Sequence, residues 1–350
     1  MQILDKLDPK GKKILVRLDL DVPIGNGEVI DGFRIDAGLP TLEYLKKAEQ
    51  IIILGHAGRP EGKIVPELSL KPQAEYLAQK LSLDVKEEKN NFLGPHYLLG
   101  DQIVILENLR FDSGEENNDL RFTKRLAHLG EAFVFEAFAV SHRRHASVTG
   151  LSEILPSYLG LRCQKEIDVL CQLRNEASES IMVIGGAKVE DKSGIIQKYP
   201  ALKVLFGGKT ASEVWLKKDE YKDEKFILPV DGKLETGEVK NYSDLSKKEL
   251  NAVRDIGPRT TNAYSDIIHL LGKNIIFAGP MGQYEKEEFG IGTKTLMEAA
   301  IKSQKNSVIL GGDSALAANM FGFINQISYI SVGGGASLSF LVTGKTALIC

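Results

Sequence analysis

Apolar runs alternate with longer amphipathic stretches along the whole chain, and this alternation predicts strands and helices in turn. In the first half it predicts a helix over Pro40–Ala48 and strands at Ile14–Leu18, Ile51–Leu54, Ile103–Leu106 and Phe133–Phe135. In the second half it predicts strands at Ile181–Ile184, Val204–Phe206, Phe226–Leu228, Ile275–Phe277, Val308–Leu310 and Tyr329–Ser331. Such alternation is typical of an α/β fold, with parallel sheets covered on both faces.

A nearly glycine-free stretch, Pro156–Asn175, mixes apolar and charged residues at helical spacing, so it predicts a helix that joins the two halves. A chain of 350 residues also exceeds one ordinary core. We therefore predict an N-terminal domain over 1–155, the joining helix over 156–175, a C-terminal domain over 176–342 and a tail over 343–350. Residues Gly232–Glu238 are predicted as a surface hairpin or loop.

The composition is that of an ordinary globular protein, with 43% hydrophobic and 26% charged residues. A net charge of -3 gives no reason to expect nucleic acid as a partner, so any basic patch must be local. No apolar stretch approaches the ~20 residues of a membrane helix, and the N-terminus has no signal-peptide pattern. The three cysteines, Cys163, Cys171 and Cys350, are interpreted as reduced thiols. We therefore expect a cytoplasmic protein without a membrane partner.

The two halves place different chemistry after their apolar runs. The first half carries basic residues there: Arg34, His56, Arg59, Arg110, His142 and Arg143. The second half carries glycine clusters: Gly185–Gly186, Gly207–Gly208, Gly279, Gly311–Gly312 and Gly333–Gly335. Guanidinium groups bind compact anions, and glycine-rich turns bind polyphosphate through backbone N–H groups. Together they predict an enzyme that moves a phosphoryl group between a small acid and a nucleotide.

The sequence does not match the familiar nucleotide-binding and metal-binding motifs, because the required residues are missing at the required spacing. Gly208-Lys209-Thr210 imitates the end of a P-loop, but Lys203 stands where that loop needs glycine. A second imitation, Gly344-Lys345-Thr346, fails because Ser339 occupies the same position. A dinucleotide-binding glycine fingerprint is also absent from the sequence. The segment His142-Arg143-Arg144-His145 favours anion binding over metal, because adjacent cationic side chains repel a cation.

Two segments of the second half each have two interpretations. In Gly185–Lys192, Lys188 and Lys192 are four residues apart on one helix face, which suits a bound anion but also an ordinary solvated surface. After Leu310, Asp313 and Ser314 start a predicted helix, where they could cap it or where Asp313 could bind Mg²⁺. Spacing alone does not decide between these interpretations.

Taken in order, these segments closely resemble the phosphoglycerate kinase family, nearly from end to end. The matching segments are 16–23 (VRLDLDVP), 55–60 (GHAGRP), 107–111 (ENLRF), 142–147 (HRRHAS), 185–192 (GGAKVEDK), 255–258 (DIGP), 279–282 (GPMG), 311–314 (GGDS) and 333–337 (GGGAS). The resemblance implies two doubly wound, Rossmann-like parallel-sheet domains joined by an interdomain helix and a hinge. It also implies a monomer.

The resemblance further implies substrates and site residues. The N-terminal domain would bind 3-phosphoglycerate or 1,3-bisphosphoglycerate through Asp19, Asp21, Arg34, His56, Arg59, Arg110, His142 and Arg143. The C-terminal domain would bind MgADP or MgATP through Lys188, Lys192, Gly207, Gly208, Gly282, Glu285, Gly311, Gly312, Asp313, Ser314 and Gly334, with Asp313 as the magnesium ligand and Glu285 on the ribose. Arg34, Lys188 and Gly312 would act on the transferred group, Arg34 from one domain and Lys188 from the other.

Departures from the family pattern concentrate on the nucleotide side. On that side they are Phe206, Lys209, Ala278, Leu310 and Val332. In the first half, Glu136 replaces the usual Asp, and Asp21 replaces the usual Asn. These changes leave the nucleotide preference open. Two alternatives therefore stay open: a non-catalytic relative that binds phosphoglycerate, and, more distantly, a nicotinamide dehydrogenase.

Overall fold

The computed structural model describes residues 1–90, 94–186 and 192–348 of the chain. These residues form two compact units: Met1–Asp168 together with the chain from Lys345 onward, and Val169–Gly344. Each unit is built on its own sheet of parallel strands with helices between them, which confirms the predicted α/β class.

Within the described residues, the sheet of the first unit has eight strands, six of them parallel. In sheet order they are Gln2–Ile3, Ser157–Leu159, Ala132–Phe135, Lys13–Arg17, Gln50–Leu54, Ile103–Leu106, Gly94–Leu99 and Val85–Asn90. The central strands are buried almost throughout, as expected when helices cover both faces. The four strands predicted in this half are confirmed to within about one residue.

The last two strands of this sheet form an antiparallel hairpin, which the sequence did not predict. Val85–Asn90 carries four charged residues in a row, which conceals the apolar alternation that would predict a strand. The side chains of Lys86 and Lys89 are exposed. Charged residues on an edge strand also discourage pairing with another chain.

The α-helices of the first unit are short. They are Phe33–Asp36, Leu39–Tyr44, Lys71–Leu81, Ser113–Glu116, Leu120–Ala127 and Leu151–Ile154. The helix predicted over Pro40–Ala48 ends at Tyr44, and a 3-10 turn, Leu45–Lys47, follows it.

In the part of the chain that the structure describes, the sheet of the second unit has six parallel strands. In sheet order they are Phe226–Ile227, Lys203–Phe206, Ser180–Ile184, Asn274–Ala278, Asn306–Leu310 and Tyr329–Ser331. The α-helices of this unit are Ser193–Lys198, Gly208–Leu216, Lys247–Leu250, Pro258–Leu270, Ile291–Lys302, Gly312–Met320 and Gly335–Thr343. All six strands predicted in this half are confirmed, although the strand predicted over Phe226–Leu228 ends one residue early, at Ile227.

A small antiparallel sheet of Val239–Asn241, Asp231–Leu234 and Val253–Ile256 accompanies the second unit. The first two of these strands form a hairpin, which confirms the interpretation of Gly232–Glu238.

The joining helix begins later than the sequence predicts, at Leu161, and it ends at Asn175. Ser157–Leu159 is instead a strand that pairs in parallel with Phe133–Phe135. The helix start is fixed by side chains distant in sequence. Thr41 Oγ1 accepts the N–H of Leu161 (2.8 Å), and the carboxylate of Glu136 accepts those of Arg162 (3.0 Å) and Cys163 (2.9 Å).

The chain returns to the first unit at its end, where the N–H of Ala347 donates to the carbonyl of Ser141 (2.9 Å). The division between the units falls inside the joining helix, between Asp168 and Val169. Among the described helices, none has the length and hydropathy needed to cross a bilayer.

Candidate anion and nucleotide sites

The first candidate site lies where the central strands of the first unit end. Asp19 and Asp21 follow the strand Lys13–Arg17, and the short helix Phe33–Asp36 supplies Arg34. Arg34 Nη1 lies 3.8 Å from Asp19 Oδ2 and donates to the backbone carbonyl of Asp21 (3.2 Å). The Arg34 side chain keeps about a third of its surface exposed, at 32%. The guanidinium is therefore anchored by Asp19 and Asp21, while part of the side chain stays accessible to a ligand.

Asp19 is almost fully buried, and neither of its carboxylate oxygens accepts a well-formed hydrogen bond from the described residues. Burial raises the pKa of Asp19, and the nearby charges of Arg34 and Arg17 oppose that shift. A buried carboxylate whose main partners are arginines serves to orient them.

The next strand, Gln50–Leu54, leads to His56, which is also buried. His56 Nε2 lies 3.7 Å from Asp21 Oδ2, and the other oxygen of Asp21 accepts the N–H of Gly58 (2.9 Å). Arg110 Nη1 donates to the carbonyl of Gly58 (2.7 Å). The structure thus brings together Asp19, Asp21, Arg34, His56 and Arg110 from the predicted substrate set.

The other three predicted residues form no side-chain hydrogen bond or ion pair with this network in the part of the chain that the structure describes. Arg59 and His142 are exposed, and Arg143 is partly exposed. Arg143 is nevertheless close enough for its charge to lower the pKa of Arg110, His142 and His145.

A buried network behind these residues escaped the sequence analysis. Arg17, with 1% of its surface exposed, donates through Nε to Ser147 Oγ (2.8 Å), and its Nη2 lies 2.9 Å from His56 Nδ1. Ser147 in turn donates to Glu115 through Oγ (2.6 Å) and N–H (3.0 Å). One signal was available: Arg17 interrupts an otherwise apolar strand, and a buried charge needs partners.

The imidazoles of this site stay neutral because they are buried and because several guanidinium groups share the site with them. Burial, followed by the charges of Arg17 and Arg110, places the pKa of His56 far below its ordinary range. Burial, followed by Arg110, Arg143 and Arg17, lowers the pKa of His145 to about 4. Cations that repel further protonation create a positive potential that an anion would relieve.

The second candidate site lies at the carboxyl ends of the strands of the second unit. Gly185–Gly186, Gly207–Gly208, Gly279, Gly311–Gly312 and Gly333–Gly335 follow five neighbouring strands. The predicted position of these clusters is confirmed. Carboxyl ends of parallel strands meet at one edge of the sheet, where ligands of such folds bind.

Gly208 and Gly311 differ in whether the surrounding atoms leave room for a side chain. Gly208 has a φ of +56°, and a Cβ there would lie 2.7 Å from the backbone nitrogen of Gly186, so packing requires glycine. Gly311 has a φ of +112°, yet nothing among the described residues lies within 4 Å of a Cβ built there. The backbone before the helix Gly312–Met320 is therefore not covered by any described residue.

A cavity of about 320 Å³ lies beside these turns, within the size range of small-molecule sites. Its described lining includes four predicted nucleotide residues: Gly208, Gly282, Glu285 and Asp313. Lys209, Leu250, Val253, Arg254 and Tyr284 also line it. Burial, followed by the charges of Glu285 and Asp313, raises the pKa of Tyr284 to about 12.

The remaining predicted nucleotide residues lie in or next to the same turns. Gly207 donates its N–H to Ile184 (2.9 Å), and Ser314 Oγ accepts the N–H of Gly279 (2.9 Å). Lys192 Nζ donates to the carbonyl of Gly185. Gly312 and Gly334 precede or begin helices. Lys188 lies outside the described residues.

The fit of a magnesium ion rests on Asp313, whose side chain is exposed in the first turn of its helix. The described residues contain no group of three or more His, Cys, Asp or Glu able to hold a metal by themselves. Mg²⁺ bound with a nucleotide takes one or two carboxylates and completes its shell with phosphate oxygens and water. The donor set of this cavity therefore fits a metal that arrives with the nucleotide.

A larger cavity, of about 700 Å³, lies elsewhere in the first unit. Its described lining is largely apolar and contains none of the predicted substrate residues, although Asn108 and Leu109 immediately precede Arg110. The greater volume does not make it the better site, because the convergent charges lie around His56 and Arg34.

The fold and the two sites define a two-unit α/β protein with an anion site on one unit and a nucleotide-type cavity on the other. A model of the phosphoglycerate kinase family matches residues 4–212 and 208–345. The chain is 30% identical to a solved phosphoglycerate kinase from Coxiella burnetii, covering 99% of this chain and 97% of that one with a TM-score of 0.83. It is 29% identical to the Pyrococcus horikoshii OT3 enzyme, with the same coverages and TM-score. The chain belongs to the phosphoglycerate kinase family.

Proposed function

We propose that this chain is an active phosphoglycerate kinase, which transfers the acyl phosphoryl group of 1,3-bisphosphoglycerate to ADP and forms 3-phosphoglycerate and ATP. The observation that supports this most is the geometry of two guanidinium groups beside the buried His56: Asp19 and the carbonyl of Asp21 hold Arg34, and the carbonyl of Gly58 holds Arg110. Guanidinium groups that are oriented in this way bind the oxygens of a phosphorylated carboxylic acid.

In the first unit, Arg34 and Arg110 bind the phosphoglycerate through guanidinium groups that are already oriented. Asp19 and the carbonyl of Asp21 hold Arg34, and the carbonyl of Gly58 holds Arg110. His56 adds a neutral donor. Arg59, His142 and Arg143 lie nearer the surface, where the charges of the two arginines attract the anion before it is bound.

In the second unit, the glycine turns bind the nucleotide phosphates through backbone N–H groups, together with Lys188 and Lys192. Glu285 accepts hydrogen bonds from the ribose. Asp313 would hold Mg²⁺, which, when bound, neutralises part of the charge on the phosphate oxygens.

The reaction needs little covalent chemistry from the protein. The acceptor oxygen is already negative, so no protein nucleophile or strong base is required, and catalysis consists of positioning and charge stabilisation. Arg34, Lys188 and the N–H of Gly312 supply that stabilisation at the transferred group.

The direct test is ATP formation from 1,3-bisphosphoglycerate and MgADP, followed in a coupled assay with the folded full-length chain. We expect turnover that requires both substrates and Mg²⁺. Absence of turnover with every purine nucleotide tried would contradict the proposal.

The departures on the nucleotide side favour a second candidate, a non-catalytic phosphoglycerate-binding protein. Lys209, which departs from the family pattern, lines the nucleotide-type cavity, whereas the basic residues of the first unit match the family's substrate set. Titration calorimetry separates the two candidates: the second predicts heat with 3-phosphoglycerate and none with MgATP, whereas the first predicts binding of both.

A further inference from the structure

The buried arginine at the end of the strand Lys13–Arg17 lies directly behind an imidazole that faces the anion site. We propose that Arg17 is a positioning residue that holds His56 as the neutral tautomer with its proton on Nε2, so that His56 presents an N–H donor to the bound phosphoglycerate. The part that concerns phosphoglycerate rests on the proposed function, whereas the tautomer itself does not.

The donor inventory decides the tautomer. A guanidinium group has N–H donors and no acceptor. Arg17 Nη2 lies 2.9 Å from His56 Nδ1, so Nδ1 must accept and cannot carry a hydrogen. In a neutral imidazole the proton is then on Nε2.

The charges around the ring exclude the doubly protonated form. Arg17, Arg110 and Arg143 lie near the ring on three different segments of the chain, together with the neutral His145, and the carboxylate of Asp21 lies 3.7 Å from Nε2. Burial, followed by the charges of these arginines, keeps the pKa of His56 well below its ordinary range. Hence the Nε2–H form persists at neutral pH.

Arg17 can select this form because each of its three nitrogens has a hydrogen-bond partner that fixes the side chain. Its Nε donates to Ser147 Oγ, and its Nη1 donates to the carbonyl of Leu18 (2.8 Å) and, more weakly, to that of Leu54 (3.4 Å). Ser147 is anchored by the fully buried carboxylate of Glu115. Hydrogen bonds thus link Glu115, Ser147, Arg17 and His56, in this order, into a relay that ends at the anion site.

The consequence for binding is specific. A neutral N–H donor can bind a phosphate or carboxylate oxygen without first gaining a proton, so its contribution does not depend on acid pH. The described structure assigns His56 one hydrogen bond, at Nδ1, which leaves Nε2–H for the ligand. Arg17 therefore acts through His56 and does not need to touch the ligand.

The first test observes the ring directly. Nitrogen-15 NMR of the histidine side chains, on the unaltered protein at neutral pH, distinguishes the two neutral tautomers from imidazolium. We expect His56 to show the Nε2–H pattern. A spectrum of the Nδ1–H tautomer, or of imidazolium, would overturn the proposal.

The second test changes Arg17. Arg17→Met removes the donor, so the His56 spectrum should move towards a mixture of tautomers, and 3-phosphoglycerate should bind at least about tenfold more weakly. Arg17→Lys retains a donor and should restore part of both effects. The exposed Arg121→Met is the matched control and should change neither. A wild-type spectrum of His56 in Arg17→Met would contradict the role.

The third test holds even if Arg17→Met fails to fold. In His56→Gln the amide nitrogen reaches the position of Nε2, whereas in His56→Asn it reaches that of Nδ1. We expect the Gln variant to bind 3-phosphoglycerate at least about tenfold more tightly than the Asn variant, and equal or reversed affinities would overturn the proposal. If the unaltered protein binds no 3-phosphoglycerate, the proposed function fails, and the NMR result still decides the tautomer.

Discussion

The guanidinium of Arg34 lies 3.8 Å from the buried carboxylate of Asp19 and donates at 3.2 Å to the backbone carbonyl of Asp21. A flexible side chain is thereby fixed before any ligand arrives. Preorganised charge of this kind is the main resource of an enzyme that stabilises a transition state without covalent chemistry.

Replacing Arg34 by Lys should lower kcat/KM for 1,3-bisphosphoglycerate by about 10- to 100-fold. Lysine keeps the positive charge, but it lacks the planar guanidinium group that can bind the anion and contact Asp19 and Asp21 at the same time. Steady-state kinetics measure the effect, and Arg121→Lys on the same unit serves as an exposed control. An unchanged kcat/KM would show that Arg34 does not act on the substrate.

Lys188→Ala should reduce kcat by roughly 100-fold or more, with a much smaller rise in KM for the nucleotide. An interaction made mainly in the transition state affects turnover more than ground-state binding. The matched control is the exposed Lys198→Ala in the same unit. If Lys188 bound the nucleotide equally in both states, KM would rise and kcat would stay constant.

Asp313→Asn should weaken the apparent affinity for Mg²⁺ by at least about tenfold, since changes even to groups around metal ligands have effects of that size. The measurement is ADP-dependent turnover titrated with Mg²⁺ at fixed nucleotide. Asp266→Asn, at an exposed position of the helix Pro258–Leu270, is the control. The same magnesium dependence in both variants would remove Asp313 from the metal site.

His145 should make the protein less stable in acid. Its pKa is 6.5 ordinarily and about 4 when folded, so the unfolded chain binds the proton first as pH falls. The stability that comes from the neutral ring is complete above pH 6.5 and is lost towards pH 4, by about 3 kcal/mol in total.

Denaturant unfolding at several pH values checks this linkage. The free energy of unfolding of wild type should fall relative to that of His145→Gln as pH decreases through this window. The exposed His128→Gln should follow wild type. Parallel curves for wild type and His145→Gln would contradict the linkage.

Glu136→Gln should lower the free energy of unfolding by roughly 2 kcal/mol. The two carboxylate oxygens accept the N–H groups of Arg162 and Cys163, and an amide would turn one acceptor into a donor facing a donor. Chemical denaturation measures the change. Glu153→Gln, at an exposed position of the same unit, should have little effect, and equal losses in both variants would exclude the capping role.

The sequence predicted the strands and the positions of the glycine turns well, because buried parallel strands are short apolar runs that end in recognisable turns. It missed the hairpin at Val85–Asn90, whose row of charges hides the strand. It also placed the start of the joining helix five residues early, at Pro156 instead of Leu161. That start depends on Glu136 and Thr41, which are distant in the chain, and local patterns do not record such partners.

The candidate site shows the same limit. Residue types were enough to propose Arg34, His56 and Arg110, which the structure brings near one another. They were not enough to find Ser147 and Glu115, because a serine and a glutamate become a relay only when a buried arginine lies between them and a histidine.

The second unit is inserted, in chain order, into the first, since the residues from Lys345 onward rejoin the unit that begins at Met1. A ribosome therefore completes all of Val169–Gly344 before it supplies the segment that contains Ala347. Until that segment has been synthesised, the carbonyl of Ser141 cannot accept the hydrogen bond from the N–H of Ala347. Proteolytic removal of the residues from Lys345 onward should accordingly lower the free energy of unfolding of the unit that begins at Met1.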